Sequence, residues 1–105
     1  MTQETLELDS MHGSAERACA LMKALSNPDR LMVLCRLSQG ELSVGEIEAA
    51  LGIRQPTLSQ QLTVLREQGL VTTRREGKNI YYSVASDEAM AVIRVLYKQF
   101  CSQEH

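Results

Sequence analysis

Apolar residues follow a helical pattern in the first part of the chain. They recur every three or four positions, at Ala15, Ala18, Cys19, Met22 and Leu25. This spacing predicts a first helix over residues 14–25, with Ser14 as its N-cap. Residues 1–13 are polar and acidic and show no such pattern. We therefore expect them to form a flexible N-terminal arm.

A second helix is marked by the residues that would cap it. Asn27, Pro28 and Asp29 form a strong helix start. Asparagine caps free amides, proline suits the first helical position, and aspartate complements the positive end of the helix dipole. The helix is predicted to run from Pro28 to Leu37. Its apolar residues lie nearly all round, which indicates a buried helix.

Two shorter helices follow, separated by a turn that contains glycine. Ser43 and Glu46 have the spacing of a capping box, which predicts a third helix over residues 44–51. A fourth helix is predicted from Pro56, as its first helical residue, to about Gln68. Two helices joined by a short turn have the arrangement of a helix-turn-helix, whose second helix enters the DNA major groove.

The last third of the chain predicts a hairpin and a helix. Residues 71–75 and 80–84 are rich in β-branched and aromatic side chains and flank a short polar turn, which favours a β-hairpin. Ser86 is placed to cap a last helix over about 87–101, and residues 102–105 form a short tail. The apolar stripe of this helix, which includes Phe100, is wide enough to cover a second surface, such as a partner subunit. The fold class is therefore mainly helical with a small β-hairpin.

The fourth helix has the composition expected of a DNA-reading element. Leu58, Leu62 and Leu65 are spaced to face the core. The other positions carry short or uncharged hydrogen-bonding side chains, which suit base edges: Thr57, Ser59, Gln60, Gln61 and Thr63, preceded by Gln55. The helix lacks a good side-chain cap, so its first amides are further candidates to bind a DNA phosphate.

The charge distribution supports a DNA-binding surface. The net charge is −2, but residues 54–79 carry five cations against two carboxylates. We predict that the five cations contact phosphates: Arg54, Arg66, Arg74, Arg75 and Lys78. The alternative is a module of this shape that binds another protein and never touches DNA.

Length and composition exclude several classes of protein. The 105 residues allow one small domain and exclude a multidomain enzyme. No apolar run approaches the roughly 20 residues that span a bilayer, and nothing resembles a signal peptide, so we expect a cytoplasmic protein without membrane contact. The three cysteines include no CxxC pair, and no catalytic histidine is apparent. A thiol oxidoreductase is therefore disfavoured, and no cofactor is predicted.

Five segments of the chain match a known family pattern: Leu25–Leu31, Glu41–Ile47, Gln55–Leu62, Gly69–Val71 and Gly77–Tyr82. Through these segments, the chain from about Ala24 to Cys101 resembles the ArsR/SmtB family of dimeric winged-helix repressors. The resemblance implies a winged helix-turn-helix domain over residues 14–101. It also implies a homodimer formed through the first and last helices, which binds double-stranded operator DNA with its two recognition helices in successive major grooves.

The chain departs from the metal sensors of this family. Those proteins ligate metal through cysteines in the third helix, where this chain has Ser43 and Gly45. Others use an Asp/His cluster on the last helix, which here offers Asp87 and Glu88 but no histidine. Since soft-metal and zinc sites need cysteine or histidine, no metal site is predicted and a metal-responsive repressor is kept as an alternative.

Cysteines on the second and last helices resemble those of the BigR-type subgroup, whose members respond to reactive sulfur species. The resemblance implies that Cys35 and Cys101 are redox-sensing thiols. They would be linked on oxidation by a disulfide or a polysulfide bridge, with release of DNA. The alternatives are inert packing residues, a general-redox repressor, or a virulence-gene regulator of the HlyU type. Cys19 is predicted to pack, at a dimer surface of the first and last helices.

Overall fold

The computed structural model describes the backbone of residues 2–101 and the side chains of residues 8–101. Along this range the helices and strands are α1 (Thr2–Leu25), α2 (Pro28–Leu37), β1 (Leu42–Ser43), α3 (Val44–Leu51), α4 (Thr57–Glu67), β2 (Val71–Glu76), β3 (Asn79–Val84) and α5 (Asp87–Phe100). The prediction of a mainly helical fold with a β-hairpin is confirmed. The predicted tail, residues 102–105, lies outside the described residues, as does Met1.

Helix α1 is longer than predicted. It begins at Thr2, so the assignment of residues 2–13 to an arm without a fold was wrong. The segment is rich in Glu, Gln, Leu and Met, which favour helices, and it contains no proline, so the helix continues through it without an apolar stripe. The helix reaches the core near its end, where Ala24 and Leu25 are buried.

The starts of α2 and α3 are set by local hydrogen bonds. The Asn27 side-chain oxygen accepts from the Arg30 amide at 3.1 Å. The Ser43 amide donates to Glu46 Oε1 at 2.9 Å, and the Glu46 amide donates to Ser43 Oγ at 3.2 Å. Both helices span the residues that the sequence predicted. Each cap acts within one turn, which is why it is detectable without the rest of the fold.

The core is a continuous aliphatic cluster to which all five helices contribute. Its largest fully buried side chains are Val33 and Leu34 of α2, Ile47 of α3, Leu58, Leu62 and Leu65 of α4, and Ile93 of α5. The three leucines of α4 face inward as predicted. Because this face is held in the core, the opposite face of α4 is presented to solvent.

A small antiparallel sheet lies beside α3. Strands β2 and β3 form the predicted hairpin, and β1, which was not predicted, pairs with the other edge of β3 through Leu42 opposite Tyr82. A strand of two residues has no periodicity that a sequence pattern could reveal. Through β1, the hairpin is attached directly to the start of α3.

Helix α5 extends beyond the core of the single chain. Ala89 and Ile93 are buried, whereas Val95, Tyr97 and Phe100 are exposed, Phe100 to 73%. Phe100, which the sequence placed in the apolar stripe of this helix, is exposed in the protomer because the core ends near Ile93 while the helix continues. This leaves an apolar surface at the end of α5.

Candidate DNA interface and thiol pair

The α3–α4 pair forms the helix-turn-helix, with a slightly later start to α4 than predicted. Pro56 has φ −88° and ψ 1° and is the N-cap of the helix, so its predicted place as the first helical residue was wrong. The solvent face of α4 carries Thr57, Ser59, Gln60, Thr63 and Arg66, all exposed. The structure therefore places these predicted DNA-contacting residues on one accessible surface.

Gln55 caps α4 from just outside the helix. Its Oε1 accepts from the Ser59 amide at 3.1 Å and from the Ser59 hydroxyl at 2.6 Å. The Leu58 amide donates to the Arg54 carbonyl at 3.0 Å, and the Gln60 amide donates to the Pro56 carbonyl at 3.1 Å. The prediction that these first amides are free for a phosphate was wrong, because the turn before α4 supplies acceptors for them.

Gln61 lies at the side of α4 and contacts another helix. It is half-buried, and its Oε1 accepts from Arg30 Nη1 at 3.1 Å. The side-chain oxygen of Gln61 is thus hydrogen-bonded within the protein, whereas the side chain of Gln60 is exposed. Sequence reasoning did not single out Arg30. The only available signal was a cation in the opening turn of the otherwise apolar helix α2.

The five predicted phosphate-binding cations do not share one environment. Arg54, Arg66, Arg75 and Lys78 are exposed. Arg74 is ion-paired, with Nη2 2.6 Å from Glu41 Oε1 and Nη1 2.7 Å from Glu76 Oε1. Its guanidinium also lies over the Tyr81 ring, 4.8 Å from the centroid.

The Arg74 cluster links the hairpin to the residue that precedes β1. Hydrogen bonds from Arg74 hold the pKa of the Glu41 carboxyl below its ordinary value, and the two carboxylates raise the pKa of Arg74. Two carboxylates around one cation leave no net positive charge at this point. The other four cations are therefore better placed than Arg74 to attract a phosphate.

Cys35 and Cys101 come together in one groove. The groove has a volume of about 280 Å³ and is lined by Leu31, Met32, Cys35, Arg36, Gln39, Leu51, Tyr97 and Cys101. Cys35, on α2, is half-buried, and Cys101, which directly follows α5, is exposed; both are free thiols. Burial raises the pKa of the Cys35 thiol, and Cys101 raises it further, because the two thiolates would repel each other.

Cys19 is separate from this pair. It is exposed on α1, as are its apolar neighbours Ala15 and Met22. It does not pack within the protomer, because the buried part of α1 lies closer to its end, at Ala24 and Leu25. Its predicted place at a dimer surface stays a prediction.

Among the described residues, no group of three or more His, Cys, Asp and Glu side chains is arranged to hold a metal ion. None of the helices in the described range is both long and apolar enough to cross a bilayer.

Comparisons with known proteins agree with this architecture. Residues 27–73 match the sequence profile of a family described as "Bacterial regulatory protein, arsR family". A biofilm growth-associated repressor of Agrobacterium fabrum is 54% identical over 99 residues, covering 94% of this chain and 85% of the relative. The transcriptional activator HlyU of Vibrio cholerae is 41% identical over 96 residues, covering 91% and 89%. These relatives are transcriptional regulators and not enzymes, as the sequence analysis expected.

Solved structures show the same fold. The crystal structure of the transcriptional repressor BigR from Xylella fastidiosa matches with a TM-score of 0.83 and 49% identity, over 90% of this chain and 97% of that one. A homodimeric winged helix-turn-helix DNA-binding domain from Mycobacterium bovis matches with a TM-score of 0.73 and 33% identity, over 87% and 84%. The chain therefore belongs to the ArsR family of bacterial regulatory proteins and has its winged helix-turn-helix fold.

Proposed function

We propose that this protein is a homodimeric transcriptional repressor whose operator binding is switched off when Cys35 and Cys101 become covalently linked. The observation that carries the proposal is that thiols from α2 and from the end of α5, far apart in the sequence, line the same groove. The repressor assignment is supported by the names of the relatives from A. fabrum and X. fastidiosa.

The DNA-binding half of the proposal rests on the exposed face of α4. Its hydroxyl and amide side chains are suited to base edges in the major groove. Arg75 and Lys78 extend the surface along the hairpin, which we call the wing, and supply charges that attract the phosphate backbone. In a two-fold dimer the two copies of α4 would enter successive major grooves, about 34–36 Å apart.

Dimerisation through α1 and α5 is supported by apolar side chains that the single chain leaves exposed. On α1 and α5 these are Leu8, Met11, Met22, Val95, Tyr97 and Phe100. A groove of about 480 Å³ also separates α1 from the start of α5, lined in part by Ala18, Leu21 and Val92. Burial of such a surface against a second copy is favourable because it removes apolar area from water.

The proposed trigger is a persulfide, R–S–SH. A cysteine thiolate attacks its outer sulfur, which forms a protein persulfide and releases R–SH after proton uptake. The second thiolate then attacks the sulfur bound to the protein and expels HS⁻. Overall, two protein thiols and one R–S–SH yield one disulfide, one R–SH and one H₂S. With a second R–S–SH, the protein retains one extra sulfur in its bridge and a second R–SH is released.

The test is a titration of operator DNA with reduced and with persulfide-treated protein. The duplex is chosen from genomic fragments by gel shift with the reduced form. We expect treatment to weaken binding by about 5–150-fold, the usual range of coupling between two sites. Equal binding by the two forms contradicts the proposal. Mass spectrometry of the linked peptides then distinguishes a disulfide from a bridge that contains extra sulfur.

The order of reaction of the two thiols is a first prediction. Cys101 is exposed, whereas Cys35 is half-buried and its pKa is raised. A raised pKa leaves less thiolate at neutral pH, and the thiolate is the nucleophile. We expect an alkylating reagent to modify Cys101 before Cys35 at pH 7, and the difference to shrink as the pH rises. Peptide mass spectrometry after short exposures measures both rates, and faster labelling of Cys35 would refute the assignment.

A second prediction separates affinity from sequence reading. Lys78→Ala should weaken binding to operator and to random duplexes alike, and should reduce the slope of log K against log salt by about 0.9 for each lost phosphate contact. Gln60→Ala should cost about 1–3 kcal/mol on the operator and little on random DNA. Titrations at several salt concentrations measure both effects. Loss on both duplexes with Gln60→Ala would show that Gln60 does not read bases.

A second candidate function is a regulator of the HlyU type, since the V. cholerae relative is named an activator. The same switch would then have the opposite effect on transcription. Run-off transcription from the selected fragment distinguishes the two, because a repressor lowers the yield of transcript and an activator raises it.

A further inference from the structure

The side chain of Arg30 joins three helices. Its Nε donates to the Ala24 carbonyl at 2.7 Å, and its Nη2 donates to the Lys23 carbonyl at 3.3 Å. Both carbonyls belong to the last turn of α1. Its Nη1 donates to Gln61 Oε1 on α4 at 3.1 Å. Arg30 itself lies on α2, so one guanidinium connects the end of α1 to the recognition helix.

This connection crosses a gap in the packing. A cleft of about 290 Å³ separates α1 from α4 here, lined by Ala20, Lys23, Ala24, Arg30, Val64 and Gln68. The two helices are therefore held apart at this point, and Arg30 bridges them with directional hydrogen bonds. Such bonds depend on both distance and angle, and they weaken steeply when either changes.

The same helix also carries one of the paired thiols. Arg30 and Cys35 both belong to α2, which moves as a unit because its backbone bonds are internal. Among the described residues, the bond from Arg30 to Gln61 is the one hydrogen bond between α2 and α4. The apolar contacts between these helices tolerate small sliding movements. The hydrogen bond from Arg30 to Gln61 does not, because a displacement of α2 changes its length and angle.

We infer that Gln61 is a positioning residue of the recognition helix and not a reader of bases, and that its bond to Arg30 transmits the state of the thiol pair to α4. This inference rests on the proposed thiol switch. When Cys35 is drawn towards Cys101, α2 shifts, the geometry of the bond changes, and α4 loses the orientation in which its exposed face matches the groove.

The test compares the ratio of the operator Kd of persulfide-treated protein to that of reduced protein in several variants. We expect Gln61→Ala to lower this ratio by about 2–30-fold, the range by which residues along a coupling route alter it. Gln61→Glu keeps an acceptor for Arg30 and should retain the ratio of the parent protein. Its added negative charge should weaken operator binding by the reduced and the treated protein alike, so it does not lower the ratio of their Kd values.

A second variant makes the test independent of DNA contacts by Gln61. Arg30→Lys cannot bond the α1 carbonyls and Gln61 together, because its ammonium lacks the planar fork of the guanidinium. It should lower the ratio as Gln61→Ala does, and the double variant should show no further loss, since both changes remove the same bond. Thermal melting of each variant verifies that it is folded.

The outcomes separate this inference from the proposed function. If the parent protein has a ratio of one, the thiol switch is refuted and the inference falls with it. If the parent ratio is large and Gln61→Ala retains it, the switch stands and the coupling role of Gln61 is refuted. A loss of operator binding by Gln61→Ala in both states, with the ratio unchanged, likewise identifies Gln61 as a DNA contact.

Discussion

Replacing Cys35 by serine is expected to abolish the response to persulfide while the reduced protein still binds its operator. The serine hydroxyl has nearly the same size as the thiol but cannot form the bridge to Cys101. The parent protein should lose about 5–150-fold in affinity on treatment, and the variant should lose none. Cys101→Ser should behave in the same way, because a bridge needs both sulfurs. Gel-shift or fluorescence titrations with and without the persulfide measure the ratio.

The matched control is Cys19→Ser. Cys19 is exposed on α1 and does not line the groove that holds the other two cysteines. We expect this variant to respond like the parent protein. A normal response from Cys35→Ser, or a lost response from Cys19→Ser, would place the switch elsewhere and contradict the proposed mechanism.

Leu65→Ala is expected to destabilise the fold by about 2–5 kcal/mol, the usual range for a buried leucine truncated to alanine. Leu65 has no exposed surface and lies among the core residues of α4. The variant loses the transfer free energy of the removed atoms and leaves a cavity beneath the recognition helix. Urea unfolding at a fixed protein concentration measures the change, since the apparent stability of a dimer depends on concentration.

Ile80→Ala is the comparison for this prediction. Ile80 lies on the wing and is 36% exposed. Its replacement should cost about 1 kcal/mol or less, which is the span of strand propensities. Similar losses from the two variants would show that α4 does not depend on the core packing described above.

The parts of the fold that were predicted from the sequence are those with local causes. Asn27 and the pair Ser43 and Glu46 form their caps within one turn, so α2 and α3 have the predicted ends. The inward leucines of α4 were predictable because helical spacing alone assigns them to one face. The extra length of α1 was not predicted, because its first half has helix-forming residues but no apolar stripe that marks a helix in the sequence.

The candidate DNA site was only partly predictable, because some of its contacts have local causes and others join distant parts of the chain. The exposed positions of α4 follow from the places of its leucines. The engagement of Gln61 by Arg30 and of Arg74 by Glu41 was not predictable, since each bond joins residues more than 30 positions apart in the chain. The hydrogen bonding of the first amides of α4 was also not predictable, because it depends on the path of the turn from Arg54 to Pro56.

The sequence by itself determined where most helices and the hairpin lie and which face of α4 is apolar, because periodicity and capping act between residues a few positions apart. Only the tertiary structure decided which distant side chains meet: Cys35 with Cys101 in one groove, Arg30 with Gln61, and Arg74 between two carboxylates. The physical reason is that such contacts depend on the packing of whole helices and strands against each other. No spacing within a single element encodes that packing.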